Sequence, residues 1–352
     1  MKLSDREWNY FCIQKLFDVE IGQAIDGNKI DKNGGSKPYI TRKECSNGLD
    51  GFIEYNDEFY NTTYPVITIG NETAKPYVHV YPFFTGTKVN IMKPKFKANK
   101  EMLLFVCMSL EMHKNKYSYT YTINSTRLKK QNVFLPIDEF GKPDFEFMGK
   151  YISEIQEEKI FRYVECGKKE LLKLGDYKKI KALEEVDWKS YRIDKLAQVD
   201  SGRDIYDAER VEGDLPYITA GVQQNGIGYF VGNMNKTIAK NVISVSRNGA
   251  GVGSSFYHEY LALYSNDCRK VILNNYNENK YISLFITNQI MVQRKNYNYS
   301  RKMGTERLKK QMVMLPSLND DTPDYKYMEQ YIKNLMIKKY TSYITYIENS
   351  FQ

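Results

Sequence analysis

One 26-residue stretch occurs twice in this chain. Residues Arg127 to Ile152 read RLKKQNVFLPIDEFGKPDFEFMGKYI, and residues Arg307 to Ile332 read RLKKQMVMLPSLNDDTPDYKYMEQYI. They align without a gap at a shift of 180, with 13 of 26 positions identical, where composition alone gives about two. A chain of 352 residues built this way must fold as two like halves, because each copy has the same apolar positions to bury. The repeat continues outside its best-matched part. Trp8 pairs with Trp188, Leu16 with Leu196 and Gly22 with Gly202. After a two-residue change in length, Pro38 to Thr41 (PYIT) matches Pro216 to Thr219, and Asn47-Gly48 matches Asn225-Gly226.

The middle, roughly 55–115 against 233–293, matches poorly. A common frame around divergent interiors describes one scaffold carrying two different recognition surfaces. A protein that presents one module twice does one job at two places, which suits a reader of a two-part linear target better than a metabolic enzyme.

Composition narrows the class. Hydrophobic content is 42% and charged content 27%, with 30 Tyr against 2 Trp and a net charge of +8. That is the balance of a globular protein with ample core, and the charge has the sign suited to a phosphate-rich partner. Five scattered cysteines without a CxxC pair, and three isolated histidines (His79, His113, His258), point to neither a disulfide framework nor a zinc site. The N-terminus has no signal-like apolar core, and no run of about 18 apolar residues exists to cross a membrane. The chain therefore reads as cytoplasmic and reduced.

Each half reads as a mixed domain followed by a long helix. Tyr64–Ile69, Lys88–Met92 and Asn241–Ser246 have strand character. Met102–Leu110 and Tyr281–Ile290 read as helices. Asp144, after Pro143, is placed to cap a helix whose stripe is Met148, Ile152, Ile155, Phe161 and Val164. Gly167 and Gly175 should interrupt it, with resumption through Tyr177, Ile180 and Leu183. The second helix starts after Pro323-Asp324 and carries Met328, Ile332, Leu335, Met336, Tyr340, Tyr343, Ile347 and Phe351 at steps of three and four. A helix of about 30 residues spans about 45 Å, so its stripe must bury against something, and the sister helix is the obvious candidate. The expected fold is α+β: two similar mixed α/β domains, 1–147 and 187–325, held apart by helical spacers 148–186 and 326–352 that form an antiparallel coiled coil.

Catalytic constellations are missing. There is no GxGxxG, P-loop, GxSxG or HExxH, and no Pro-Pro pair of the kind amino-methyltransferases use. Asp144, Glu157 and Lys159 loosely mimic a nuclease spacing. The copy at Pro323-Asp324 lacks the second carboxylate, and both Pro-Asp pairs sit where helix caps belong. A stand-alone Mg-dependent nuclease is the enzyme alternative, and a two-domain protein-binding adaptor is a third.

Surface chemistry is more informative. Lys114–Tyr121 aligns with Arg294–Arg301, which places Lys116, Tyr117 and Tyr119 beside Lys295, Tyr297, Tyr299 and Arg301. Arg127 and Arg307 follow, each opening an Arg-Leu-Lys-Lys run. The loops after PYIT carry Arg42, Lys43 and Asn47 in one copy and Gln223, Gln224 and Asn225 in the other. A glycine-rich segment holds Arg247. Arginine can bond guanine, and asparagine and glutamine adenine, while basic and hydroxyl side chains alternating with tyrosine can bind phosphates and read base edges; Arg127 and Arg307 are expected on phosphate. These residues are the expected DNA contacts. The tyrosines have an ordinary alternative, packing on one face of an exposed strand.

This arrangement resembles the specificity (S) subunits of type I restriction-modification systems and the recognition subunits of type IIB enzymes. The likeness is carried by Trp8/Trp188, Leu16/Leu196 and Gly22/Gly202, then by Pro-Tyr-Ile-Thr, Asn-Gly, and Leu-Pro with Pro-Asp…Met…Tyr-Ile leading into each long helix. Gly141 to Met148 looks closest to the type IIB branch. The resemblance implies target-recognition domains that each read half of a bipartite double-stranded DNA site, with no catalysis of their own. It implies a methyltransferase or methyltransferase-nuclease subunit docked on the helices. S-adenosylmethionine is expected on that partner, and no cofactor or metal on this chain.

Overall fold

The computed structural model describes residues 1–350 apart from 119, 250, 277 and 299. Tyr119 and Tyr299, both expected DNA contacts, lie outside the described residues. The chain divides into two compact units, Met1–Tyr163 and Val164–Gln352.

In unit 1 the order is β1 (Trp8–Cys12), α1 (Ile13–Leu16), β2 (Phe17–Ile21), β3 (Lys37–Ile40), β4 (Leu49–Ile53), β5 (Val66–Gly70), β6 (Pro76–His79), β7 (Phe84–Thr85), β8 (Val89–Pro94), α2 (Lys100–Glu111), α3 (Ser125–Lys130) and β9 (Asn132–Pro136). The helix α4 (Phe145–Leu174) starts here and ends in unit 2. Unit 2 continues with β10 (Trp188–Arg192), α5 (Ile193–Leu196), β11 (Ala197–Ser201), β12 (Glu212–Ile218), β13 (Ile227–Val231), β14 (Val242–Ser246), β15 (Ser255–His258), β16 (Leu263–Tyr264), β17 (Cys268–Leu273), α6 (Lys280–Val292), α7 (Thr305–Lys309), β18 (Met312–Pro316) and α8 (Tyr325–Ser350).

The two units share one topology. A four-stranded antiparallel sheet runs β2-β8-β5-β6 in unit 1 and β11-β17-β14-β15 in unit 2. A three-stranded sheet runs β4-β3-β7 and β13-β12-β16, and a two-stranded ribbon pairs β1 with β9 and β10 with β18. The ribbons match residue for residue: Trp8 faces Pro136 and Trp188 faces Pro316. The interiors that align poorly as sequence are thus the same strands. Val66–Gly70 answers Val242–Ser246 at a shift of 176, whereas Val89–Pro94 answers Cys268–Leu273 at 179.

Burial explains the strands. Every residue of β5 and of β14 is buried, the polar Thr68, Ser244 and Ser246 included, and Thr68 and Ser244 are satisfied by His79 and His258. Against this sheet lies α2, whose Leu103, Val106 and Leu110 join Ile67, Ile69 and Met92 in one core. In unit 2, Ile282, Phe285, Ile286 and Ile290 of α6 join Ile243, Val245 and Val271. The repeated tryptophans lean on these helices, Trp8 on Phe105 at 5.9 Å and Trp188 on Phe285 at 6.2 Å between ring centroids. Each indole N–H donates to the carbonyl five residues earlier, Leu3 or Leu183, so the polar edge of a large apolar side chain is satisfied.

Both Pro-Asp pairs cap helices. Asp144 Oδ1 accepts from Phe147 N at 2.8 Å, and Asp324 Oδ1 from Tyr327 N at 2.9 Å, each filling an orphan donor of the first turn. The path of α4 differs from the sequence expectation. It passes through Gly167 without a break and stops at Leu174, where Gly175 turns left-handed at φ +71°. Residues 176–182 are not helical, and only a three-residue turn forms at Leu183–Glu185. Gly167 serves packing instead: a Cβ there would lie 3.2 Å from Tyr340 and 3.4 Å from Ile344 of α8.

Within unit 2 the last turns of α4 and the segment after it run against the direction of α8. Lys168 pairs with Glu348 at 3.2 Å, whereas Lys178 bonds Asn334 and the Lys181 carbonyl accepts from Tyr327. The partner number falls as the first number rises, which is the signature of an antiparallel pair.

Candidate nucleic-acid interface

The loops that carry the expected contacts are built alike in both units. After β3, Thr41 N donates to Gly48 O at 2.8 Å; after β12, Thr219 N donates to Gly226 O at 2.8 Å. Each loop closes through three successive left-handed residues. These are Ser46, Asn47 and Gly48 (φ 52°, 53°, 74°) and Gln224, Asn225 and Gly226 (φ 50°, 53°, 76°). Asparagine and glycine tolerate that region and most side chains do not. The Gly in the shared Asn-Gly is buried, while Asn47, Gln223, Gln224 and Asn225 stand exposed. A run of left-handed backbone kept in both copies, with its polar side chains in solvent, is the kind of strain that a scaffold retains for a functional loop.

In unit 1 three segments meet. A Cβ on Gly70, at the end of β5, would fall 2.9 Å from Arg42 Cβ, and one on Gly48 would fall 3.5 Å from the Tyr77 ring. Lys114, in the turn after α2, pairs with Glu44 of the loop. Beside the loop and the turn after β5 lies a cleft of about 420 Å³ whose lining includes Lys32, Tyr39, Arg42, Lys43, Asp50 and Glu72. Its carboxylates are each matched by two cations. Glu72 lies between Arg42 and Lys88, the latter at 3.4 Å. Asp50 lies between Lys43 and Lys32, the latter at 2.7 Å. Partial burial works against the Asp50 charge, yet hydrogen bonds from Lys32 and Lys43 hold its carboxyl below the ordinary value.

In unit 2 the same three segments meet with other side chains. The turn after β14 is longer and rich in glycine. A Cβ on Gly251 would fall 2.5 Å from the Ala220 carbonyl and 2.9 Å from Val222; one on Gly253 would fall 3.1 Å from Arg294 Cα. Met303 N donates to Arg247 O at 3.2 Å. Arg247 stands 4.0 Å from Asp267. Beneath it on β17, Arg269 is 4% exposed and donates through Nη1 to the Asn266 carbonyl at 2.9 Å. Burial, then the nearby Arg247, push the Arg269 guanidinium below its ordinary value.

The remaining expected residues are placed within the packing of their own units. Lys114–Lys116 and Gln293–Asn296 are single helical turns, and among the described residues no strand lies between them and α3 or α7. Tyr117 is half-buried against the core, its hydroxyl donating to Gln131 at 2.8 Å; Tyr297 is half-buried likewise and its hydroxyl donates to Gln311. The Arg127 guanidinium lies 4.0 Å over the Tyr121 ring and donates to the Thr122 carbonyl at 2.6 Å. Arg307 donates likewise to the Lys302 carbonyl, and Arg301 lies 5.6 Å over Tyr297. Lys116 and Lys295 are exposed on the two turns. Sequence reading missed Glu72, Lys88, Lys32, Asp50 and Arg269, because only folding sets them beside the basic loops.

The nuclease set does not assemble. Asp144 is engaged as a cap and by Arg6 at 2.8 Å, while Glu157 and Lys159 are exposed about 20 Å farther along α4. Among the described residues no cluster of His, Cys, Asp and Glu is suited to a metal, and no helix is long and apolar enough to cross a membrane.

Comparison with known proteins agrees with this geometry. The type I restriction modification DNA specificity domain matches residues 5–162 and again residues 185–344. The chain is 39% identical over 332 residues to the specificity subunit S.BcgI of a type II restriction enzyme from Heyndrickxia coagulans, covering 94% of each. Its fold is that of a type I restriction-modification S subunit from M. genitalium, with a TM-score of 0.53 at 17% identity over 99% of this chain and 96% of that one. The chain belongs to the restriction-modification specificity subunits, with the DNA specificity domain present twice.

Proposed function

We propose that this specificity subunit reads a bipartite duplex DNA site, each unit taking one half, and delivers it to a methyltransferase or methyltransferase-nuclease subunit that binds S-adenosylmethionine. The observation that carries the reading is the identical loop frame with different side chains: Arg42, Lys43 and Asn47 on one left-handed loop, Gln223, Gln224 and Asn225 on the other. One backbone with two sets of donors is what two unlike half-sites require. The net charge of +8 supplies the attraction to phosphate. The relative S.BcgI belongs to a type II restriction enzyme, and we extend that system class to this chain. The helices α4 and α8 act as the ruler between the half-sites.

The test exchanges residues 1–147 for the first domain of another specificity subunit and sequences the methylated sites made by the assembled complex. One half-site changes and the other stays. Change in both halves, or in neither, rejects the modular reading.

A further inference from the structure

We propose that Arg42 reads a guanine in the half-site of unit 1, and that Glu72 is the positioning residue that aims it. This rests on the two-reader function above and assigns one of its bases.

The geometry begins with Gly70, whose missing side chain lets the end of β5 abut the Arg42 backbone. The neighbouring turn then brings Glu72 to the guanidinium, and Arg42 Nη1 donates to Glu72 Oε2. A guanidinium has five N–H groups. With Nη1 engaged, the Nε–Nη2 edge keeps two parallel donors, and the side chain lines the open cleft at about a third of its full exposure. Guanine O6 and N7 are matched by two parallel donors of this kind, the commonest specific contact in the major groove. An arginine held by a carboxylate has also given up much of its rotamer freedom before DNA arrives.

Two observations separate this from an ordinary surface ion pair. A carboxylate on a face that meets phosphate is unfavourable unless its charge is matched, and Glu72 is matched twice, by Arg42 and by Lys88. The pair is also absent from the sister unit. Ala220 follows Thr219 where Arg42 follows Thr41, and Asn248 stands two residues beyond β14 where Glu72 stands two beyond β5. The same sheet and loop form there without it, so the pair is not a requirement of the frame. It belongs to the part of the molecule that differs between the two readers.

The experiment selects bound duplexes from a randomised library with the complex of this chain and its methyltransferase subunit. The variants are Arg42→Ala, Arg42→Lys, Glu72→Ala and Glu72→Gln. Wild type should enrich a guanine at one position of the first half-site. Arg42→Ala, Arg42→Lys and Glu72→Ala should each relax that position by roughly tenfold or more. Glu72→Gln, whose amide oxygen still accepts, should keep part of the preference. The second half-site reports in every variant that the chain is folded and bound. The proposal is overturned if Arg42→Ala weakens all sequences alike, which marks a phosphate contact, or leaves the site unchanged. It is equally overturned if Arg42 and Glu72 variants relax different positions. If wild type enriches no bipartite site, the two-reader function itself fails.

Discussion

Asn334 of α8 bonds the backbone of Lys178 in both directions. Its Oδ1 accepts from Lys178 N at 3.2 Å and its Nδ2 donates to Lys178 O at 2.7 Å. The side chain is 6% exposed, so it stands in for the strand partner that the non-helical segment after α4 lacks. Asn334→Ala removes both part-buried bonds to the exposed Lys178 backbone, where water can replace them in part, and should cost about 1 kcal/mol. Denaturant unfolding of the variant measures this, and an unchanged midpoint refutes it.

Gly167 of α4 leaves room for Tyr340 and Ile344 of α8. Alanine gains helix propensity of about 1 kcal/mol, but its methyl group presses on Tyr340. Leucine has no such compromise. Gly167→Leu should destabilise unit 2 by about 1–3 kcal/mol while leaving the unfolding of unit 1 alone, as domain-resolved hydrogen exchange would record.

Each unit hides one neutral histidine. His79 lies against Thr68 Oγ1 and His258 against Ser244 Oγ, both at 2.8 Å. Both are fully buried, and burial pushes both pKa values down to about 4. The unfolded chain takes up its proton near pH 6.5 and the folded one only near 4, so stability is full above about 6.5 and falls as pH drops to about 4. The loss should approach about 3 kcal/mol per histidine. His79→Gln should flatten the profile of unit 1 and not of unit 2; parallel profiles in the variant and wild type exclude this origin.

The ruler role proposed for the helices has a direct consequence. Removing seven residues from α4 and seven from α8 shortens each by about 10 Å. The gap between half-sites should then shrink while the bases read stay the same. Methylation-site sequencing that finds the original gap in an active deletion variant rejects the ruler.

Local chemistry was readable and long-range chemistry was not. Pro143-Asp144 and Pro323-Asp324 announce helix caps because a cap needs only its own first turn. Gly167 was misread as a break because the reason for it, Tyr340, lies 173 residues away. The interiors look unrelated in sequence because their shift wanders, to 176 at β5 and β14 and back to 179 at His79 and His258 after a turn three residues longer, so no single alignment covers them. The basic and amide loops stood out in sequence, whereas Glu72 and Asp50 did not, since nothing near them in the chain marks them as partners of Arg42 and Lys43. Tyr117 and Tyr297 read as surface because their spacing is strand-like; their hydroxyls are held by Gln131 and Gln311, 14 residues on and beyond α3 and α7.

The ribbons β1–β9 and β10–β18 join the first strand of each unit to the one that precedes its long helix. Everything between them is a loop tied at the neck. A residue gained or lost inside the loop, such as the longer turn after β14, leaves the neck where it was. The readers can therefore change their turns in length as well as letter while α2 and α6, which pack on α4 and α8, hold the helices in place, and a lineage can acquire a new target by exchanging what lies above the knot.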